Sequence, residues 1–88
     1  MRSGPLRVRY LAAPGGASVG YAIGKRTGPA VVRNRIKRRV RAAVASTSTP
    51  LTSGFYLIST DSSAATAPFD ELVGAVDNVV ISVARGNR

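Results

Sequence analysis

The segment that decides the fold is KRTGPAVVRNRIKRRVR, residues 25–41, which carries eight of the 13 basic residues of the chain. Gly28-Pro29 lies within it, and proline is favoured in the first turn of a helix, where its missing N–H is not needed. From residue 30 to about residue 45 no glycine or proline interrupts the chain. The spacing therefore predicts an amphipathic helix whose apolar stripe is Val32, Ile36, Val40, Ala43 and Val44.

The rest of this predicted helix is cationic. On an ideal helix the apolar stripe covers about one third of the circumference. Like charges at helical spacing destabilise a helix by about 0.2–0.5 kcal/mol per pair, and a face that is merely solvated usually mixes both signs. The pattern favours a polyanionic partner over a solvated surface. We call the polar side the cationic arc, which consists of Asn34, Arg35, Lys37, Arg38, Arg39 and Arg41.

Two residues of the helix each have two alternative roles. Arg33 falls inside the apolar sector, so it either buries its stem and extends its head to water, or holds a guanidinium at the helix–sheet junction for one phosphate. Asn34 is either an indifferent surface residue or a donor and acceptor for RNA or a neighbouring arginine. Spacing alone does not decide between these alternatives.

Two strands precede the helix. Residues 6–12 and 18–24 each alternate apolar with other residues, and Pro14-Gly15-Gly16 connects them, which predicts a β-hairpin. One face of the second strand consists of Gly20, Ala22 and Gly24. Such small residues let a helix or a ligand approach the backbone closely, and helix packing is the favoured interpretation.

The second half predicts a strand and a helix. Residues 46–50 end the first helix, and the apolar run Phe55–Ser59 is typical of a buried strand. Pro68 marks the start of a second helix with apolar residues at helical spacing, although Val79–Val83 could instead form a strand. The predicted order β-β-α-β-α, over a single domain of residues 1–88, indicates a small two-layer α+β fold.

Charge indicates the class of partner. The 88 residues have a net charge of +9, with 11 basic and no acidic residues in positions 1–60. This distribution favours nucleic acid as the partner, with an anionic membrane surface second. The chain has no cysteine and no histidine, which excludes disulfides, Cys-based zinc sites and the commonest general base.

Location is inferred from hydropathy. No apolar run approaches the roughly 20 residues of a membrane span, and Met1–Pro5 lacks the apolar core of a signal peptide. A cytoplasmic protein without a membrane partner is therefore expected.

The central segment resembles a known family signature. The matching positions are Gly24, Lys25, Arg26, Gly28, residues 30–38 and Arg41. They resemble the Arg-Asn-Arg signature of the bacterial ribonuclease P protein component, over about 17 contiguous positions. The resemblance implies a two-layer sandwich with a mixed sheet, ribosomal protein S5 domain 2-like, and a left-handed crossover that general topology rules disfavour. The family normally places a helix before the first strand, and we expect this chain to lack it.

The resemblance also implies a function. Proteins of this family bind a large catalytic RNA and help it remove the 5′ leader from precursor tRNA. The RNA performs the hydrolysis with bound Mg²⁺, so we expect no catalytic side chain, no metal or cofactor on the protein itself and no obligatory protein partner. The RNA contacts carried over by position are Lys25, Arg26, Arg33, Asn34, Arg35, Lys37, Arg38 and Arg41.

Leader binding is a further expectation from the family. By position Tyr10 is a candidate stacking platform for single-stranded leader, with Arg7 and Arg9 beside it. A stacked base contributes about 1–3 kcal/mol. The alternative for Tyr10 is an ordinary core residue on the sheet, and the two interpretations weigh about equally.

Other functional classes fit less well. A ribosomal-type RNA-binding protein without a role in tRNA processing is the main alternative. A helix-turn-helix needs a second helix three or four residues away, and a membrane-surface or calmodulin-target helix normally carries large apolar residues that this stripe lacks. A stand-alone enzyme is least favoured, because Asp70 and Glu71 are adjacent on a helix and therefore diverge.

Overall fold

The structure is a computed structural model that describes residues 1–86. Its main elements are four strands and two helices, with short 3₁₀ turns at Lys25–Thr27 and Ser62–Ala65. The predicted α+β class is confirmed, and a two-residue strand precedes the predicted ones. In chain order the elements are β1 (Arg2–Ser3), β2 (Leu6–Ala12), β3 (Ala17–Tyr21), α1 (Ala30–Ser46), β4 (Gly54–Thr60) and α2 (Phe69–Gly86).

The sheet is mixed, but the predicted hairpin is wrong. The strand order is β1-β2-β4-β3, so β4 lies between the two strands expected to pair. It pairs antiparallel with β2 and parallel with β3. Ser53 explains how the chain crosses the end of β4, because its hydroxyl donates to the Ala13 carbonyl at 2.7 Å and accepts from the Gly16 N–H at 3.0 Å.

Both helices cover one face of the sheet, and we call the opposite one the outer face. The expectation that β4 is buried is therefore half wrong, since Phe55 and Leu57 on the outer face are 55% and 45% exposed. The expectation that a helix packs on Gly20, Ala22 and Gly24 is also wrong, because these residues are exposed. Alternating side chains give every strand one covered and one open face.

The core lies between the helices and the inner face of the sheet. In α1 the stripe residues Ile36, Val40 and Ala43 are fully buried, as predicted. In α2 Val79 and Val83 are buried within a continuous helix, which decides against a strand there. Burial of one apolar side overrides the weak helix propensity of valine.

Gly54 and Gly74 provide a matched test of this fold. Gly54 has φ +143°, and a Cβ there would lie 2.5 Å from the Leu11 carbonyl oxygen. Gly74 is in α2 with nothing within 4 Å of such a Cβ. We expect Gly54→Ala to lower the free energy of unfolding by more than about 2 kcal/mol and Gly74→Ala to raise it by about 0.5–1 kcal/mol. Urea unfolding measures both, and equal effects would contradict the register of β2 and β4.

Candidate nucleic-acid interface

Helix α1 presents most of the cationic arc to solvent. Packing of the apolar stripe on the sheet fixes the rotation of the helix, so the polar side has to face away from the core. No acidic residue precedes Asp61 in the chain, so neighbouring sequence offers no opposite charge. A field of one sign at this surface attracts polyanions. The exposed members are Asn34, Arg35, Lys37, Arg38 and Arg41.

Arg39 differs from the rest of the arc. Its guanidinium donates to the Ala64 carbonyl at 2.6 Å and also to the Ala67 carbonyl. The side chain therefore ties α1 to the connection that precedes α2, and its cation is used inside the fold. Sequence spacing placed Arg39 in the arc and gave no signal of this role, because both acceptors are backbone carbonyls distant in sequence.

Arg33 is half-buried at the start of α1. Its Nε is buried and has no hydrogen-bond partner among the described residues. Leaving such a donor unsatisfied costs about 1–3 kcal/mol. A buried Nε on a half-buried side chain fits both alternatives that the sequence leaves open, a buried stem with its head in water and a guanidinium held at the helix–sheet junction.

Arg41 joins the arc to the edge of the sheet. Its guanidinium lies 5.6 Å from the centre of the Tyr21 ring on β3, a distance typical of a cation–π contact. Burial raises the pKa of the Tyr21 hydroxyl, and the nearby Arg41 charge opposes that shift. The contact places a cation of α1 directly beside strand β3.

Lys25 and Arg26 occupy the 3₁₀ turn before α1, and both are exposed. They line a surface depression together with Arg7 from β2 and Thr60 from β4. The Thr60 hydroxyl oxygen is buried there without a hydrogen-bond partner among the described residues. This depression places the cations of the turn before α1 beside Arg7 of the sheet, and Asp61 also lines it.

The outer face of the sheet has a cationic end and an apolar end. Strand register places Arg7 opposite Ser59 at one end and Arg9 opposite Leu57 next to it. At the other end Leu11, which is 68% exposed, lies opposite Phe55. Cations beside an exposed aromatic ring are the combination that binds single-stranded nucleic acid.

Tyr10 lies on the inner side of β2, away from Arg7 and Arg9. Its hydroxyl donates to the Ser53 carbonyl at 2.5 Å, and its ring centre is 4.9 Å from that of Tyr56. Tyr10 is thus partly buried against the core, and its role in leader binding stays a prediction. The exposed aromatic ring on the outer face is that of Phe55, although its apolar run predicts a buried strand.

The acidic residues do not converge. Among residues 1–86 no group of three or more histidine, cysteine or acidic side chains is placed to hold a metal ion. Asp61 caps the turn that follows it, and hydrogen bonds from Ser63 hold the pKa of its carboxyl below the usual range. In the same part of the chain, no helix is long and apolar enough to cross a membrane.

Comparisons with known proteins agree with one another. The family model described as Ribonuclease P matches residues 1–83. The ribonuclease P protein component of Symbiobacterium thermophilum is 42% identical over 62 residues, which cover 69% of this chain and 54% of that protein. The chain thus matches about half the length of this curated relative.

Solved structures show the same fold. The Staphylococcus aureus RNase P protein superposes with a TM-score of 0.70 at 18% identity, over 91% of this chain and 74% of that one. A mutant of the S. aureus protein with defective mRNA degradation activity gives a TM-score of 0.76 at 17% identity, over 97% and 73%.

Arg39 and Arg38 allow the stability contribution of an internal cation to be compared with that of an exposed one. We expect Arg39→Met to lower the free energy of unfolding by about 2 kcal/mol, because two carbonyls lose a charged donor. Arg38→Met, on the open face, should change it by less than about 0.5 kcal/mol. Chemical denaturation of both variants checks this, and equal stabilities would show that the Arg39 contacts contribute nothing.

Proposed function

The chain belongs to the family of ribonuclease P protein components, and from this premise we propose that it is the protein subunit of a ribonuclease P ribonucleoprotein. In this role it binds the catalytic RNA and assists removal of the 5′ leader from precursor tRNA in the cytoplasm. The observation that carries the proposal is the exposed, one-sign surface of α1, which is built on the Arg-Asn-Arg signature.

The RNA interface in this proposal is α1 with the turn before it. Packing of Ile36 and Val40 in the core orients the helix, so its exposed cations can meet a phosphate backbone together. Such contacts release counterions and supply affinity without reading sequence. The contacting side chains are Lys25, Arg26, Arg33, Asn34, Arg35, Lys37, Arg38 and Arg41.

We assign the chemistry to the RNA. Hydrolysis of a phosphodiester bond needs a metal site or an acid–base pair, and in this proposal Mg²⁺ bound to the RNA supplies it. The protein contributes positive charge, which offsets repulsion between the catalytic RNA and its RNA substrate. We assign neither a catalytic side chain nor a bound cofactor to this chain.

The outer face of the sheet is the proposed site for the leader. Phosphates would meet Arg7 and Arg9, which are exposed on this face. Unpaired bases would stack on Phe55 and contact Leu57, the apolar residues that follow in register. In this proposal Phe55 takes the stacking role that the family resemblance suggests for Tyr10.

Salt dependence tests the helix interface. If about five to seven phosphates are contacted, the logarithm of the affinity for ribonuclease P RNA should fall with the logarithm of salt concentration at a slope of several units, since each contact contributes roughly 0.7–0.9. Filter binding between low and physiological salt measures the slope. A slope near one would rule out an extended phosphate interface.

Phe55 tests the leader site. In the protein–RNA complex, Phe55→Ala should weaken binding of precursor tRNA by about 1–3 kcal/mol through lost stacking, and binding of mature tRNA should not change. Tyr56→Phe is the matched control, because Tyr56 faces the core and its hydroxyl donates only to the Thr52 carbonyl. An equal loss for both tRNAs would place Phe55 outside the leader site.

Cleavage assays separate the proposal from a ribosomal-type RNA-binding role. RNA-free protein should leave precursor tRNA intact, and protein plus ribonuclease P RNA should cleave it at lower Mg²⁺ than the RNA alone, because cations of α1 replace part of the Mg²⁺ screening. The assay is a Mg²⁺ series with protein, RNA and both. Cleavage by protein alone would overturn the assignment of the chemistry, and an unchanged Mg²⁺ requirement would favour the ribosomal-type alternative.

A further inference from the structure

Strand β3 has a free edge. Among residues 1–86 the sheet ends at β3, which pairs only with β4. The Gly16 carbonyl accepts from Gly54 N–H at 3.1 Å, and Ala22 N–H donates to the Ile58 carbonyl at 2.8 Å. These two bonds fix which backbone groups face β4, since alternate residues of a strand face the same neighbour. The groups that point away from the sheet are the N–H and C=O of Ala17, Val19 and Tyr21.

This edge lacks the usual protection against pairing. Edge strands commonly carry charged residues, proline or a bulge, whereas β3 reads ASVGY. Among the residues whose backbone groups point outward, Ala17 is exposed, and Val19 and Tyr21 are half-buried. The free edge is therefore most open to solvent at Ala17.

The free edge continues the cationic surface of α1. Arg41 stacks over Tyr21 at the end of β3, and Lys37 and Arg38 lie one helical turn before Arg41. N–H groups at the edge of a sheet are a recognised anion-binding feature. On one strand they repeat at about 6.6 Å, a spacing comparable with that of successive phosphates along an RNA strand.

We propose that the RNA held by α1 also contacts the free edge of β3, with phosphate oxygens accepting from the N–H groups of Ala17, Val19 and Tyr21. This inference rests on the proposed RNA-binding function and extends its interface from side chains to backbone. RNA is the favoured occupant over a second copy of the chain, because pairing two β3 edges would bring two cationic helices together.

Ala17 allows a backbone test. Proline is tolerated on an edge strand where its N–H faces solvent, so Ala17→Pro removes one outward donor and leaves the bonds to β4 in place. Ala17→Glu adds a negative charge at the same position. Ser82→Glu is the matched charge control, because Ser82 is exposed on α2 and lines a depression with Met1, near the opposite edge of the sheet.

Binding to in vitro transcribed bacterial ribonuclease P RNA is measured for the three variants, with Arg38→Ala as the reference for the helix. Ala17→Pro should weaken binding about tenfold, the equivalent of one hydrogen bond to a charged group, with an unchanged salt slope because a neutral donor releases no counterion. Ala17→Glu should weaken it at least as much. Ser82→Glu should change it by less than about twofold, since distant exposed charges are screened.

The outcomes separate this inference from the proposed function. If both Ala17 variants bind the RNA as tightly as the parent protein and Arg38→Ala binds it more weakly, the edge contact is overturned and the helix interface is retained. Parental affinity for all four variants would overturn the helix interface as well. Thermal melting monitored by circular dichroism verifies that each variant is folded. If Ala17→Pro does not fold, the affinity of Ala17→Glu tests the edge contact instead. If the parent protein sediments as a dimer and Ala17→Pro sediments as a monomer, the edge pairs with a second copy of the chain.

Discussion

Burial of one side of α1 is the constraint on which the rest of the structure depends. Ile36, Val40 and Ala43 are fully buried against the sheet, and this packing leaves the helix no freedom to rotate about its axis. A side chain that is not in the stripe must then lie at the border, as Arg33 does, or in water, as Arg38 does. The charged surface is thus a consequence of core packing, and its orientation is as fixed as the core itself.

The same constraint separates the roles of the arginines. Arg39 reaches two backbone carbonyls and holds the connection before α2, while Arg41 stacks on Tyr21 and marks where the helix meets the sheet edge. With no acid before Asp61, the exposed cations repel one another in the free protein. In the proposed complex phosphates would remove that repulsion, so the feature that disfavours the isolated helix would favour its complex with RNA.

Local sequence patterns predicted the helices and strands. The order of the strands and the partners of several side chains depend on contacts distant in sequence, which the patterns do not show. Helical spacing correctly gave both helices, the stripe of α1 and most of its exposed cations. Alternation identified the strands but not their neighbours, so the insertion of β4 between β2 and β3, stabilised by Ser53, was missed. Without that register, Phe55 could not be placed on the same outer face as Arg9, nor Tyr10 beside Tyr56 on the inner face. Arg39 was missed for the same reason.

The most direct test of the account is a footprint of arginine reactivity on the folded protein, free and bound to ribonuclease P RNA. Phenylglyoxal modification read by mass spectrometry gives the reactivity of each side chain. The account predicts that RNA protects Arg35, Arg38 and Arg41, whereas Arg39 reacts slowly in both states because its guanidinium is already bound to carbonyls. Equal reactivity of Arg35 and Arg38 with and without RNA would contradict the central claim that core packing presents α1 to an RNA backbone.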